Sequence, residues 1–196
     1  MRTIFATQFA SLDGFMDEPG TWTFPYWNDQ IAAFKVAEMS RADGMILGRT
    51  TYEGFAAAWP GVPDDQGGRE MNGMTKYVAS RTRTEFAWNA SQGLLAHPAD
   101  DLVEAVSALK QSDGGDLMLV GSASVFTTLF SAGLIDELRL LVYPVVLRGR
   151  LPLFSGSEQP QPRRDLTLVE STAFDSGVLG LTYSTTSPTD TSSEKD

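Results

Sequence analysis

Cysteine is absent from this chain of 196 residues, and histidine occurs once. The first absence excludes disulfides, thiolate catalysis and cysteine-ligated metals. The second leaves too few nitrogen ligands for an ordinary zinc site, and no metal is expected. A Ser-His-Asp hydrolase would have to use His97, which stands before a proline in "AHPAD", and no GxSxG elbow accompanies it. Cations are scarce. Lys+Arg number 15 against 25 Asp+Glu, for a net charge of −10, whereas nucleic-acid binders carry a basic face. A local arginine or a set of backbone amides still allows one small anion. No apolar run approaches the ~20 residues of a membrane span, and "MRTIFATQFASLDGFM" lacks the apolar core of a secretory signal. A cytoplasmic enzyme or binding protein that meets neither membrane nor nucleic acid is therefore expected. Neither GxGxxG nor GxxxxGK[ST] occurs, so two familiar glycine fingerprints for nucleotide phosphates are missing as well.

What remains is an ordinary globular composition, 42% hydrophobic and 20% charged, with length enough for one domain and a real core. Residues 3–10 read as a β-strand ended by the Asp-Gly of "SLDGF". A helix is expected from Asn28 to Met39, with Asn28 as its cap. "GMILG" is a short buried strand, and "RTTYEGFAAAW" continues as a helix to Trp59. Residues 60–73, rich in Pro and Gly, read as an exposed loop. "TKYVAS" is a third strand and 100–110 a helix. Residues 117–120 form a strand and 124–132 a helix. Residues 137–146 read as a strand buried on both faces, and 166–174 with 177–184 as a closing hairpin. Strands and helices alternate to residue 132, after which strands dominate. That order predicts an α/β fold with a mostly parallel sheet, helices on both faces and an antiparallel C-terminal edge. One domain is expected over 1–184, and 185–196, "TTSPTDTSSEKD", as a polar tail without fixed structure.

Three strand ends share a chemistry. "LVG-SASVF" and "ILG-RTTYEGF" each close a strand with Gly and open a helix with hydroxyl residues. "YVAS-RTRT" brings Ser80, Arg81 and Arg83 to a third. In an open parallel sheet such turns gather at the carboxyl ends of the strands, where ligands bind. Free N–H groups and the positive end of a helix favour an anion there, small residues let a diphosphate approach the backbone, and Arg49 adds a charge able to fork onto phosphate. The same features also serve as plain helix caps in any α/β protein.

Taken in order, "SLDGF", "LGRTTYEGF", "KYVASRT" and "LMLVGSASVFTTLFSAGLIDELRLLVYPVVLRGRLPLF" resemble the dihydrofolate reductase superfamily. The branch they resemble most includes the reductase domain of riboflavin-biosynthesis deaminase-reductases, here as a stand-alone chain. The resemblance covers about residues 2–184. It implies a dihydrofolate reductase-like three-layer fold, a mixed central sheet of about eight strands, and NADPH as hydride donor. It implies that Gly48, Arg49, Thr50 and Thr51 face the cofactor phosphates, and that Ser80 and Arg81 meet the adenosine ribose and its extra phosphate. Gly121, Ser122, Ala123, Ser124 and Val125 would wrap the diphosphate, with Phe126 beside them. Leu12, Asp13 and Gly14 would border nicotinamide and substrate. The activity implied is hydride transfer to a C=N or C=O group, as in reduction of 5-amino-6-(5-phosphoribosylamino)uracil, by a homodimer. A pterin reductase and a non-catalytic NADPH-binding protein are the alternatives. Anchoring on Phe34-Lys35 puts Gln30 where dihydrofolate reductases carry an acid, with Asp29 one residue earlier. Asp13 and Asp29 are the candidate proton donors. Trp22, Phe24, Tyr26 and Trp27 form either a hydrophobic plug or a lid over a small planar substrate.

Overall fold

A computed structural model describes residues 1–97, 99–154 and 163–186. Its centre is an eight-stranded sheet in the order β4-β3-β2-β5-β1-β6-β8-β7. The strands are β1 (Ile4–Ser11), β2 (Ala42–Gly48), β3 (Thr75–Ala79), β4 (Ser91–Gly93), β5 (Asp116–Val120), β6 (Glu137–Tyr143), β7 (Thr167–Ala173) and β8 (Leu179–Ser184). The first six are mutually parallel; β8 is antiparallel to β6, and β7 is antiparallel to β8. The helices are α1 (Asp29–Arg41), α2 (Arg49–Ala58), α3 (Gly68–Gly73), α4 (Leu102–Gln111) and α5 (Ala123–Ser131). Among the described residues no helix is long and apolar enough to cross a membrane.

The period-2 alternation of strands divides the core. Ile4, Ala6, Ile46, Leu117, Leu119 and Leu138 face α4 and α5, where they meet Val106, Phe126 and Leu129. Phe5, Met45, Leu47, Val78 and Met118 face the other way, onto Met39, Tyr52 and Met71 of α1, α2 and α3. Strands sandwiched between two helical layers are hydrophobic on both faces, which is why the short β2 and β5 read as continuous apolar runs. Two helices, α1 and α4, begin at side-chain caps. Asn28 Oδ1 accepts from the Ile31 N–H at 3.0 Å, and Asp101 Oδ1 accepts from Val103 and Glu104.

Three expectations change. Residues 60–73 are not an exposed loop throughout. They turn through Asp64–Gln66 into α3, whose Met71 is buried. Gly67 supplies the left-handed turn at φ 88°, and a Cβ on Gly68 would lie 2.1 Å from the Val62 carbonyl oxygen. The composition reads as loop because those glycines serve a tight turn onto the core. The strand β6 ends at Tyr143 rather than 146, because Pro144 has no N–H for the ladder. It also carries Glu137 and Arg139, which pair with each other at 2.9 Å, so it is not apolar on both faces. The edge strand β4 was not expected; three residues paired to β3 leave too little pattern to read. Of the tail, Thr185 donates its N–H to the Asp136 carbonyl and is tied to the sheet; 187–196 lie outside the described residues.

Candidate active site at the carboxyl edge of the sheet

Parallel pairing aligns the carboxyl ends. Gly48 of β2 is level with Ala79 of β3, Thr7 of β1 with Val120 of β5, and Ser11 of β1 with Tyr143 of β6. Ser80, Gly48, Gly121 and Leu12 therefore follow one another along a single edge. Two helices start there, α2 after Gly48 and α5 after Ser122, and neither has a side-chain cap or an acid in its first turn. This contrasts with the capped α1 and α4.

Ser122 does not cap its own helix. Its hydroxyl accepts from the Gly48 N–H at 2.6 Å and lies 2.7 Å from Thr51 Oγ1. Gly121 and Ser122 both have φ 54°, the left-handed region that turns the chain this sharply. A Cβ on Gly48 would lie 2.7 Å from the Ser122 oxygen, and one on Gly121 would lie 3.2 Å from Thr51. The two turns are thus packed on one another, and glycine is needed at both. Gln8 reaches the same place, donating to the Gly121 carbonyl at 3.3 Å. Arg49, Thr50 and Ser124 are exposed, and Thr51, Gly121, Ser122 and Ala123 are half-buried. The side chains of Val125 and Phe126 are buried in the core, Phe126 stacked on Phe130 at 5.5 Å. Neither side chain is placed to face a ligand from that position; at Val125 only the backbone N–H could. Small residues on the surface of the turn and large ones beneath it leave uncapped amides facing solvent, a cradle whose shape and charge fit a diphosphate.

At the third strand end Ser80 Oγ accepts from the N–H groups of Thr82 and Arg83, at 3.3 and 2.9 Å. Arg81 is exposed. Arg83 donates to Glu53 at 3.1 Å and Arg49 to the same oxygen at 3.4 Å.

The "SLDGF" turn is held by its own acid. Asp13 accepts from Ser11 Oγ at 2.6 Å and from the N–H groups of Leu147 and Arg148 at 3.1 and 2.8 Å. The Ser11 hydroxyl, with those two amides, pulls its carboxyl down to about 2. It is ionised at neutral pH and has no proton to give, so its expected role as an acid becomes that of a clamp. Asp17 repeats the device on Arg150 and Leu151, both at 2.9 Å, and its carboxyl is lowered by the Leu151 amide first. Gly14 takes φ 82° in the turn, and Leu12 is 66% exposed. Asp29 is exposed in the first turn of α1, and Gln30 bonds Asp175 instead of facing a ligand.

The aromatic loop divides. Trp22 and Tyr26 pack edge-on against Tyr143, at 5.2 and 6.0 Å, and Trp27 lies 6.3 Å from Phe9. Phe24 is 71% exposed and makes no ring contact among the described residues. The Tyr143 hydroxyl is buried without a partner, and burial pushes its pKa up. Trp22 and Tyr26 are thus plug, while Trp27 beside Phe9 leaves an aromatic surface open.

One group was missed. On the α1 face of β1, Lys35 Nζ donates to Thr7 Oγ1 at 2.7 Å and pairs with Glu38, and Thr7 donates to the same Glu38 oxygen at 3.0 Å. Glu38 is 2% exposed, and among the described residues its other oxygen has no hydrogen-bond partner and faces Arg139 Nη1 at 3.8 Å. The ammonium lies 5.4 Å from the centre of the Phe9 ring. A Lys and Glu three residues apart read as an ordinary surface pair on a helix; only packing against β1 buries them.

A family model described as the RibD C-terminal domain matches residues 2–180. YyaP, an uncharacterised protein of Bacillus subtilis (strain 168), is 33% identical over 149 residues, which is 74% of this chain and 75% of that one. Three solved structures share the fold. A pyrimidine reductase-like protein from Corynebacterium diphtheriae has a TM-score of 0.73 at 15% identity, covering 95% of this chain and 92% of that one. A putative riboflavin biosynthesis protein from Shewanella sp. PV-4 has a TM-score of 0.69 at 19% identity, covering 94% and 99%. A Thermotoga maritima diaminohydroxyphosphoribosylaminopyrimidine deaminase/5-amino-6-(5-phosphoribosylamino)uracil reductase has a TM-score of 0.69 at 15% identity, covering 94% of this chain and 57% of that one. With the family model matched over nearly its whole length and the expected eight-stranded architecture in place, the chain belongs to the RibD C-terminal domain family.

Proposed function

We propose that this protein is an NADPH-dependent reductase of a small, planar substrate. The observation that carries the reading is the pair of uncapped helix starts at α2 and α5, stitched together through Ser122 at the carboxyl edge. Uncapped amides face solvent there, and a diphosphate can take the place of water as their acceptor. Thr50, Thr51 and 121–125 would hold the diphosphate through backbone and hydroxyl groups, while Gly48, its N–H given to Ser122, leaves room for the turn; Ser80 with Arg49, Arg81 and Arg83 would hold the adenosine phosphate. When bound, NADPH supplies the hydride for a C=N or C=O carbon. The Thermotoga reductase and the Corynebacterium pyrimidine reductase-like protein, which share the fold, support the same chemistry.

The chain's own part is to position and to exclude water. Trp27 and Phe9 offer a stacking surface for a planar ring. Lys35 holds a charge beside that surface and spends two of its three N–H groups on Thr7 and Glu38. With the Asp13 carboxylate engaged by Ser11 and two amides and Asp29 exposed to solvent, the proton reaches the reduced atom from water. The lack of a buried acid at the expected place keeps a second reading in view, a protein that binds NADPH and does no chemistry.

Calorimetric titration with NADPH and NADH separates these. Tight NADPH binding, weakened at least tenfold by Arg49→Ala or Arg81→Ala, supports the cofactor assignment, and unchanged affinity in both variants refutes it. Bound NADPH that no planar imine or ketone oxidises supports the second reading. We also propose a homodimer, testable by light scattering. Exposed apolar residues that could serve it are Leu151 and Phe154, and Leu168 and Val169 on the edge strand β7.

A further inference from the structure

We propose that Glu53 sets the cofactor preference of this site: its carboxylate holds Arg49 and Arg83 together and competes with the adenosine 2′-phosphate for them. This rests on the reading that the adenosine end of NADPH lies at the carboxyl ends of β2 and β3.

Three arginines reach that place from two neighbouring strand ends. Arg49 opens α2 directly after β2, and Arg81 and Arg83 follow β3. One acid stands among them. Glu53, one turn into α2, accepts from Arg49 Nη1 at 3.4 Å and from Arg83 Nη1 at 3.1 Å on the same oxygen. The pair with Arg49 alone would be an ordinary i,i+4 contact on a helix surface. The pair with Arg83 is not, because it bridges two strand ends and gives nothing to the helix.

Arg83 is already positioned without Glu53. Its Nε donates to the Glu85 carbonyl at 2.9 Å, its guanidinium carbon lies 5.4 Å from the centre of the Tyr52 ring, and its backbone N–H bonds Ser80 Oγ. Ser80 is buried, and its Oγ accepts two amides and so fixes the turn that carries Arg81 and Arg83. Arg81 makes no ion pair among the described residues. The site is a positioned fork beside an unpaired guanidinium, arranged for a phosphate and holding a carboxylate in its place.

The charges are half exposed, so the Glu53 pairs contribute little to folding and can open. A phosphate dianion then meets the guanidiniums with a unit negative charge still beside it. NADH has no 2′-phosphate and meets no such repulsion. A carboxylate beside a ribose can even accept its 2′-hydroxyl, the arrangement that favours NADH in other dinucleotide folds. Glu53 therefore lowers the preference for NADPH that the three arginines create.

The test is calorimetry on the whole chain, wild type and Glu53→Gln, with NADPH, NADH and 2′,5′-ADP, a probe that carries the 2′-phosphate without nicotinamide. Glu53→Gln is expected to tighten NADPH and 2′,5′-ADP by about tenfold, the scale of one unit charge at short range in a water-exposed site. NADH is expected not to tighten. The gain should shrink in higher salt and shrink again when Arg83→Met is added, with Arg49 left as the guanidinium that Glu53 holds. Equal gains for NADPH and NADH, or no gain for NADPH, overturn the proposal while the cofactor reading stands on wild-type NADPH binding. A wild type that binds neither dinucleotide nor 2′,5′-ADP overturns both. A thermal melt confirms that each variant is folded, and Glu53→Ala provides a second neutral replacement if Glu53→Gln is not.

Discussion

The Ser122 hydroxyl accepts a hydrogen bond from the Gly48 N–H at 2.6 Å, across 74 residues of sequence. One side chain from the start of α5 thereby caps the end of β2 and ties two ligand-facing turns into one surface. The contact is tight enough that glycine and serine specify each other.

Gly48→Ala should destabilise the protein by about 2 kcal/mol, since its Cβ would fall 2.7 and 2.9 Å from the Ser122 oxygen and Cβ. Ser122→Gly alone should cost about 1 kcal/mol for the lost bond to a backbone amide, offset in part because glycine accepts φ 54° freely. The double variant should be markedly more stable than the sum of the two costs, because Ser122→Gly removes two of the three clashing atoms. Urea unfolding of all four proteins checks this. Strict additivity would mean the two turns do not touch in solution.

Asp13 predicts acid sensitivity of a defined sign. Its carboxyl, held down to about 2 by Ser11 and the two amides, binds its proton less readily folded than unfolded, where ~3.9 is ordinary. Its contribution is therefore complete above about pH 4 and is lost as pH falls through about 2. Asp13→Asn should flatten that part of the stability curve relative to wild type. The measurement is urea unfolding at several values between pH 2 and pH 5. It should also loosen residues 147–148, read as faster amide exchange at Leu147 and Arg148.

Lys76 predicts the opposite end of the curve. It is wholly buried, donates to the carbonyls of Asn72 and Asn89 at 2.8 and 3.0 Å, and stands 4.3 Å from the centre of a Trp88 ring. Burial lowers its pKa to about 8. Below that pH a charge is buried at a cost; between about pH 8 and ~10.4 the unfolded chain binds more protons, so stability should rise with pH. Lys76→Met should abolish this rise, seen as a smaller stability difference between pH 7.5 and pH 10 than wild type shows.

Lys35 and Glu38 should behave as a buried pair. Lys35→Met leaves the 2%-exposed Glu38 without its nearest cation and should cost about 3 kcal/mol. Lys35→Met with Glu38→Leu should recover most of that. NADPH affinity should change little in either variant, because the pair lies under the aromatic surface and not at the phosphate turns. Chemical denaturation and the same calorimetry read the two effects separately.

Much of the fold was legible because its signals are local. Short apolar runs ended by Gly, the helix start at Asn28, and the turn at 175–177 follow from propensity and period, and they placed seven of the eight strands. The three-residue β4 and the glycine-rich entry to α3 escaped because each owes its structure to a neighbour, β3 in one case and the 62–63 carbonyls in the other.

At the site the sequence by itself determined residue types: glycines where backbones must approach, hydroxyls at helix starts, and arginines beside them. Tertiary structure decided what those groups do. Ser122 could have capped α5, but the left-handed turn at Gly121 and Ser122 sends its hydroxyl to Gly48. Asp13 could have been an acid, but the return of 147–148 onto it makes it a clamp. Glu53, Lys35 and Glu38 look like exposed helix charges until β1 and the end of β3 are packed against them. Side-chain type and helix or strand period are carried by near neighbours along the chain. Protonation, pairing and burial are set by groups that only the folded sheet brings within a few ångströms.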